Sequence, residues 1–147
     1  MWAAVDLDVT EVHPLRRRVL RGGDPSANVS WAEDDRPSAF HLGVRDASGL
    51  VIAVASFSEE RTKFRPGAKA WRLRGMAVDD HHQGQGIGQA ILDEAVTRVA
   101  ALGATVLWCH ARDTAIAFYT RAGFVVVGDG FTTDETGLPH HTMLRDL

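Results

Sequence analysis

The chain has 147 residues, of which 45% are hydrophobic and 24% are charged, and its formal net charge is -3. This length and composition predict one globular domain over residues 1–147, with enough apolar side chains for a core. The net charge argues against a nucleic-acid-binding surface, and the single cysteine, Cys109, excludes an intramolecular disulfide.

The first residues predict one strand and one helix. They contain neither a basic leader nor a long apolar segment, so we expect a cytoplasmic protein that does not enter a membrane. Apolar residues at alternate positions predict a strand within residues 5–12. A helix should follow from Thr10 or His13, with Pro14 in its first turn. The glycine pair at 22–23 should end that helix.

Two polar stretches need an interpretation, one on the first helix and one after it. The basic run at residues 16–18 points in several directions on a helix, which favours a solvated face over a binding patch. Residues 24–38 are polar, contain two prolines and have no periodicity. They predict a loop, which is either a plain connection or a cover for a substrate site.

A hairpin and a bulged strand form the predicted centre of the sheet. Residues 39–45 and 50–57 are two predicted strands that pair across the turn Asp46-Ala47-Ser48-Gly49, which is a good hairpin signal. Residues 70–78 form the next strand, in which Gly75 interrupts the alternation. Glycine at such a position indicates a bulge or a close approach of another backbone.

The C-terminal half alternates helices and strands. Apolar residues at helical spacing predict a long helix from Ile87 that ends at Gly103. The remaining predicted elements are a buried strand over 104–110, a helix from Asp113 or Thr114 to about Ala122, and strands over 124–127 and 140–144. A strand, a helix and a strand in succession indicate a parallel pair, whereas the hairpins indicate antiparallel pairs. The predicted fold is α/β (α+β), with a mixed, mostly antiparallel sheet of six to seven twisted strands flanked by about four helices.

A glycine-rich loop joins the bulged strand to the long helix. Gly84, Gly86 and Gly88 alternate in it, so the backbone can approach a ligand closely at a helix N-terminus. Unpaired N–H groups and the helix dipole at this point favour an anion such as a pyrophosphate. A dinucleotide fingerprint would need its third glycine one position later, and a P-loop would need Gly-Lys-Ser/Thr. A nucleotide-binding Rossmann-type sheet is therefore disfavoured.

Three segments together resemble one enzyme family. Gln83-x-x-Gly86-x-Gly88 resembles the acetyl-CoA signature of the GCN5-related N-acetyltransferases (GNAT). Residues 73–78 look like the fourth strand of that family with its bulge, and residues 115–124 are similar to its second signature, A-x-x-(F/L)-Y-x-x-x-G-F. The resemblance covers residues 71–127. It implies splayed central parallel strands and a transferase in which a primary amine attacks the thioester of acetyl-CoA in a ternary complex.

The resemblance also assigns residues to the cofactor. Backbone N–H groups of the glycine loop would hold the pyrophosphate, and main-chain groups of Met76 and Val78 would contact the pantetheine arm. The main-chain N–H near Met76 or Ala77 would polarise the thioester carbonyl. Arg112 stands where many relatives have asparagine, and it would reach a cofactor phosphate or an acidic group of the substrate. The predicted cofactor-binding residues are Met76, Ala77, Val78, Gln83, Gly84, Gln85, Gly86, Ile87, Gly88, Gln89, Arg112 and Phe118.

Tyr119 is the general acid that the resemblance implies, because it occupies the position of the tyrosine that protonates the CoA thiolate. The base stays open among His110, His140 and Glu59, with Glu60 beside the last. Adjacent histidines without clustered carboxylates predict no metal site.

The acceptor has no readable motif, and so a small molecule or a peptide amine fits equally well. The resemblance implies that a homodimer is one option for the assembly. Because the sequence does not identify the general base, the alternative function is a non-catalytic acyl-CoA-binding or regulatory module with the same fold.

Overall fold

The computed structural model describes every residue from Met1 to Leu147, with helices on both faces of one mixed sheet. The strands are β1 (Val5–Asp6), β2 (Phe40–Arg45), β3 (Val51–Glu59), β4 (Ala70–Val78), β5 (Val106–Arg112), β6 (Val125–Thr132) and β7 (Pro139–Asp146). The α-helices are α1 (Val9–Leu15), α2 (Ile87–Ala101) and α3 (Ile116–Arg121). Shorter helical turns are a π-helical turn at Arg16–Leu20 and 3-10 turns at Ala32–Asp35, Asp80–His82 and Asp113–Ala115. None of these helices has both the length and the apolar character needed to cross a membrane.

The sheet has the strand order β1-β2-β3-β4-β5-β7-β6. Its only parallel pair is β4 with β5, and every other neighbouring pair is antiparallel. The two parallel strands are joined through α2, as the strand–helix–strand pattern predicts. The mixed, seven-stranded fold is therefore confirmed, with three α-helices beside it.

The two faces of the sheet carry separate apolar clusters. Val54 of β3 packs with Val12 and Leu15 beneath α1, whereas its neighbour Ala55 belongs to the larger cluster that includes Leu92 of α2. Successive strand residues point to opposite faces, so the same short segment anchors both layers. Leu92 is fully buried, and its replacement by alanine would cost about 2–5 kcal/mol of unfolding free energy. The two helices thereby fix the end of β4, where the site lies.

The N-terminal prediction is wrong in its boundaries. The strand expected within 5–12 is limited to β1, and α1 already begins at Val9. The backbone N–H of Asp8 donates to Glu11 Oε2 at 2.9 Å, which is a local cap for a helix start. Pro14 lies inside α1 rather than in its first turn. Capping chemistry at Asp8 therefore prevails over the alternating pattern.

The later elements agree with the prediction except at their ends. β5 continues to Arg112 rather than His110, and β6 continues to Thr132 rather than Val127. Both extensions pair with the start of β7, where His140 faces Arg112 on one side and Phe131 on the other. Long-range pairing, which the sequence pattern does not report, brings these three residues together.

Candidate active site

β4 and β5 separate before either strand ends. Their parallel pairing stops at Leu73 and Cys109, although both strands continue. At this level Gly75 has a left-handed φ of +67°, and the register between β3 and β4 shifts. The predicted bulge and splay are thus confirmed. The gap opens into a cavity of about 550 Å³, which is within the size range of small-molecule sites.

Trp31 covers the bulge from the loop after α1. A Cβ on Gly75 would lie 2.8 Å from the Trp31 ring, so only glycine allows this contact. The guanidinium of Arg16 lies 3.8 Å from the centre of the same ring, and it makes hydrogen bonds of 2.7 and 2.8 Å to the Asp34 carboxylate. Trp31 also lines the cavity. Of the two interpretations of residues 24–38, the cover of a site is the one that the structure supports.

The prediction that the basic run at residues 16–18 is solvated is wrong for Arg16. Its side chain is fully buried, and beyond its ion pair with Asp34 it donates to the Val29 carbonyl at 2.8 Å and to Ser56 Oγ at 2.7 Å. A buried guanidinium requires such partners, because desolvation without them is costly. Only Arg18 of the run is exposed. The partners of Arg16 come from distant segments, so the local sequence gave no sign of them.

The glycine loop presents free backbone donors at the start of α2. None of the N–H groups from Gly84 to Gln89 donates a hydrogen bond within the chain. Gly84 and Gly86 have φ values of +77° and +80°, and nothing lies within 4 Å of a Cβ at either position. Glycine is needed here for its backbone conformation rather than for space. Consecutive free donors at a helix N-terminus form an anion-binding geometry.

Side chains brace this loop from two directions. Gln83 Nε2 donates to the Val78 carbonyl at 3.3 Å, and the indole of Trp2 donates to the Gln85 carbonyl at 3.2 Å. Ile87 is buried in the core. The first turn of α2 is therefore held in place while its N–H groups stay open.

Gly88 allows α2 to pack closely against α3. A Cβ at this position would lie 2.9 Å from Cζ of Phe118, and the Phe118 ring stands edge-on to the Tyr119 ring at 5.0 Å. The glycine loop and the second signature are thus in direct contact. Gln89 follows on the surface, where its side chain donates to Asp93 at 2.8 Å.

The register of β4 decides which backbone groups face the splay. Asp79 N–H donates to the Ile52 carbonyl, and Ala77 lies opposite Val54 in the same ladder. Because antiparallel bonding alternates along a strand, the polar groups of Ala77 point to β3 and those of Met76 and Val78 point to the side of β5. Met76 also lines the cavity, and Ala77 does not.

Tyr119 lines the cavity from α3, and its side chain is otherwise buried. Burial raises the pKa of Tyr119 well above its ordinary value, and the neighbouring Cys109 adds to this effect. The phenol is therefore held in its protonated form, as a proton donor must be. Burial also raises the pKa of the Cys109 thiol to about 12, which leaves it inert as a nucleophile.

The two candidate histidines differ in whether Nδ1 accepts or donates a hydrogen bond. His110 Nδ1 accepts from the Arg72 guanidinium at 3.0 Å, and burial together with Arg72 and Arg74 lowers the pKa of His110 to about 4. His140 Nδ1 instead lies 2.8 Å from the Leu138 carbonyl, to which it must donate. In a neutral ring the lone pair of His140 is then on Nε2, whereas that of His110 is taken by Arg72.

Glu59 lies apart from the other candidates. It is exposed at the end of β3 and does not line the cavity. Its neighbour Glu60 binds Arg36, Arg72 and Arg74. Although burial opposes it, these hydrogen bonds lower the pKa of Glu60 to about 2. Because Glu60 stays ionised, we infer that it positions the three arginines and does not act as the base.

Arg112 lies at the end of β5, where it lines the same cavity as Tyr119 and His140. Its Nη2 donates to the Leu20 carbonyl at 2.7 Å. The glycine loop, residues 83–89, contributes nothing to the lining of this cavity. The structure therefore groups Arg112 with the tyrosine and the histidine rather than with the anion-binding loop.

A family comparison explains this combination of splay, loop and tyrosine. Residues 9–124, most of the chain, match the Acetyltransferase (GNAT) family. The chain belongs to the GNAT acetyltransferase family. The resemblance inferred from residues 71–127 is thereby confirmed, and it extends over α1 and the hairpin.

Individual relatives of this GNAT protein agree with that assignment. The "Uncharacterized N-acetyltransferase YitI" of Bacillus subtilis (strain 168) is 30% identical over 138 residues, which are 94% of this chain and 91% of the relative. A GCN5-related N-acetyltransferase from Kribbella flavida has a TM-score of 0.77 at 20% identity, with 99% and 98% of the two chains covered. An aminoglycoside 6'-N-acetyltransferase complexed with coenzyme A has a TM-score of 0.75 at 12% identity, with 97% and 96% covered. The two structural likenesses concern the fold.

Several residues of the GNAT cavity were not predicted. Arg72 and Arg74 line it beside Trp31, and Arg72 also lies 4.7 Å from the ring centre of Trp108. Two arginines at alternate positions of one strand share a face, and this pattern was a usable signal. Their common partner Glu60 lies on a loop, and no periodicity points to it.

Proposed function

We propose that this protein transfers the acetyl group of acetyl-CoA to a primary amine by direct attack in a ternary complex. The observation that carries the proposal is that Tyr119, His140 and the bulged edge of β4 at Met76 line one cavity. An acid, a base and an open strand edge at one place are what amine acylation by a thioester requires.

The cofactor would lie along the splay. The free N–H groups from Gly84 to Gln89 suit the pyrophosphate. The pantetheine arm would follow the edge of β4 as an added strand, with the backbone of Met76 and Val78 facing it. Of the two residues proposed for the thioester carbonyl, Met76 is favoured over Ala77, because the N–H of Ala77 points to β3.

Tyr119 would act as the general acid. The amine nitrogen attacks the thioester carbon and gives one proton to the base, the C–S bond breaks, and the CoA thiolate takes the proton of the phenol. Its raised pKa means that the phenol is protonated before the reaction begins. General acid catalysis of this kind typically contributes about 10²–10⁴-fold in rate.

His140 is the base that the hydrogen-bond pattern favours. Donation from Nδ1 to the Leu138 carbonyl fixes the tautomer with a free Nε2 lone pair. The ring also stacks on Phe131 with 5.9 Å between the ring centres, so its orientation is held. His110 has its lone pair engaged by Arg72, and Glu59 lies outside the cavity. These two therefore fit the role less well.

A two-stage experiment on the full chain tests the proposal. Calorimetric titration should detect acetyl-CoA binding, and a thiol-release assay across a panel of primary amines should detect free CoA. Absence of both signals would refute the proposal. Tight binding without turnover, even at a pH that deprotonates the amines, would favour the non-catalytic acyl-CoA-binding module instead.

A further inference from the structure

Two arginines converge at one wall of the cavity. Nη2 of Arg112 donates to the Leu20 carbonyl at 2.7 Å, and Nη1 of Arg21 donates to the same oxygen at 3.0 Å. Both side chains line the cavity. A carbonyl oxygen carries no net charge, so this shared contact positions two cations without neutralising either.

Neither cation has a buried carboxylate partner. Arg112 forms no ion pair at all. Arg21 has only Glu135, at 3.6 Å, and the Glu135 side chain is 75% exposed while that of Arg21 is 15% exposed. Burial, followed by the charge of Arg21, lowers the pKa of Arg112, as expected for cations close together. An arginine pair in this state is a ready site for an anion.

The other two arginines of the cavity differ from this pair, because each of them has a hydrogen-bonded carboxylate partner. Arg72 and Arg74 share the Glu60 carboxylate at 2.9 and 2.7 Å. The wall formed by Arg21 and Arg112 is therefore the part of the cavity where arginines lack a hydrogen-bonded carboxylate. This wall belongs to the cavity of Tyr119 and His140, and the glycine loop does not reach it. The location favours an anionic group on the acceptor over a phosphate of the cofactor.

We propose that Arg21 and Arg112 bind a carboxylate of the acceptor, which is therefore a small amino acid or a similar molecule carrying both an amine and a carboxylate. The inference rests on the proposed function for the identity of the reacting amine. Planar guanidinium groups bind carboxylates through paired N–H donors, and a cavity of about 550 Å³ has room for a molecule of this size. Glu135 at the rim would give way to the incoming carboxylate.

Binding of the reaction product tests this site without relying on turnover. N-acetylated amino acids and their carboxamides would be titrated into the full chain saturated with CoA. The acid should bind at least about tenfold more tightly than the amide, since a hydrogen bond to a charged group is worth about 1.5–3 kcal/mol. Arg112→Gln should abolish this preference. Arg145→Gln is the matched control, because Arg145 also donates to a backbone carbonyl, that of Ala122, outside the cavity.

A second variant should change affinity in the opposite direction. Glu135→Gln removes the competing carboxylate beside Arg21, so the N-acetylated amino acids should bind more tightly than to the wild type. If no acid binds more tightly than its amide, the carboxylate site is refuted even where amines are acetylated. If Arg112→Gln weakens only acetyl-CoA, Arg112 is a cofactor ligand and the proposal is likewise refuted. An Arg112-dependent preference for acids without turnover of any amine would support the site and refute the proposed catalysis.

Discussion

Replacement of Gly86 by alanine separates the two roles of the glycine loop. The residue has a φ of +80°, and a Cβ there would touch nothing within 4 Å. The cost is therefore confined to the backbone, at about 1–2 kcal/mol for an L-residue in the left-handed region. For a chain of this size that cost lowers Tm by about 2–8 °C. Relief of the strain would rotate the neighbouring N–H groups away from their common direction.

Acetyl-CoA affinity is the decisive measurement for Gly86→Ala. Loss of one hydrogen bond to a charged pyrophosphate weakens binding by about 1.5–3 kcal/mol, or about 10- to 150-fold. Gly49→Ala is the matched control, because Gly49 has a φ of +90° with equally empty surroundings but lies in the β2–β3 turn. Calorimetry should find normal affinity in this control despite a similar loss of Tm. Equal acetyl-CoA affinity in both variants would refute the assignment of the loop to the pyrophosphate.

Four further predictions concern the acid, the base and the charged networks. Tyr119→Phe should lower kcat by about 10²–10⁴-fold with little change in acetyl-CoA affinity, and unchanged thiol release would remove Tyr119 from its role. His140→Gln should lower kcat relative to the wild type, and the difference should become smaller as pH rises, because the amine is then deprotonated in solvent. A difference in kcat that stays constant across pH would contradict a role as base. Asp34→Asn should cost about 3–5 kcal/mol in urea unfolding, since it leaves the buried Arg16 charge unpaired; wild-type stability would contradict the importance of that pair. The folded pKa of Glu60, about 2, is below its ordinary value of 4.5, so its carboxylate stabilises the fold above about pH 4.5 and this contribution is lost as pH falls toward 2. Glu60→Gln should flatten the acid end of the stability curve, and an unaltered curve would show that other carboxylates dominate it.

Local chemistry explains which parts of the site were predictable. The bulge at Gly75, the helix from Ile87 and the glycine loop each depend on residues adjacent in the chain. Their φ preferences and apolar spacing can be read directly from the sequence. Local patterns also gave the wrong end for the first strand. The alternating apolar residues predicted a strand within residues 5–12, but the helix cap at Asp8 starts α1 inside that range.

The choice among the candidate bases required tertiary structure. His110 and His140 are both histidines on strands, and nothing in their local sequence distinguishes them. The difference lies in their partners, since the Nδ1 contact of His110 comes from Arg72 on β4 and that of His140 from the backbone at Leu138. Partner chemistry of this kind depends on strand pairing, which a single sequence does not report.

By itself, the sequence determined the family, and it predicted an anion-binding loop and an acid at Tyr119, because these depend on short local motifs. Only the tertiary structure determined the burial of Arg16, the tautomer of His140 and the meeting of Arg21 with Arg112. Arg112 and its acceptor at Leu20 are 92 residues apart in the chain, and their contact follows from how the turn after α1 packs against the splayed strands. The backbone conformation of a loop depends on residues that are neighbours in the chain. Whether an arginine has a carboxylate partner depends on all the residues that pack around the cavity.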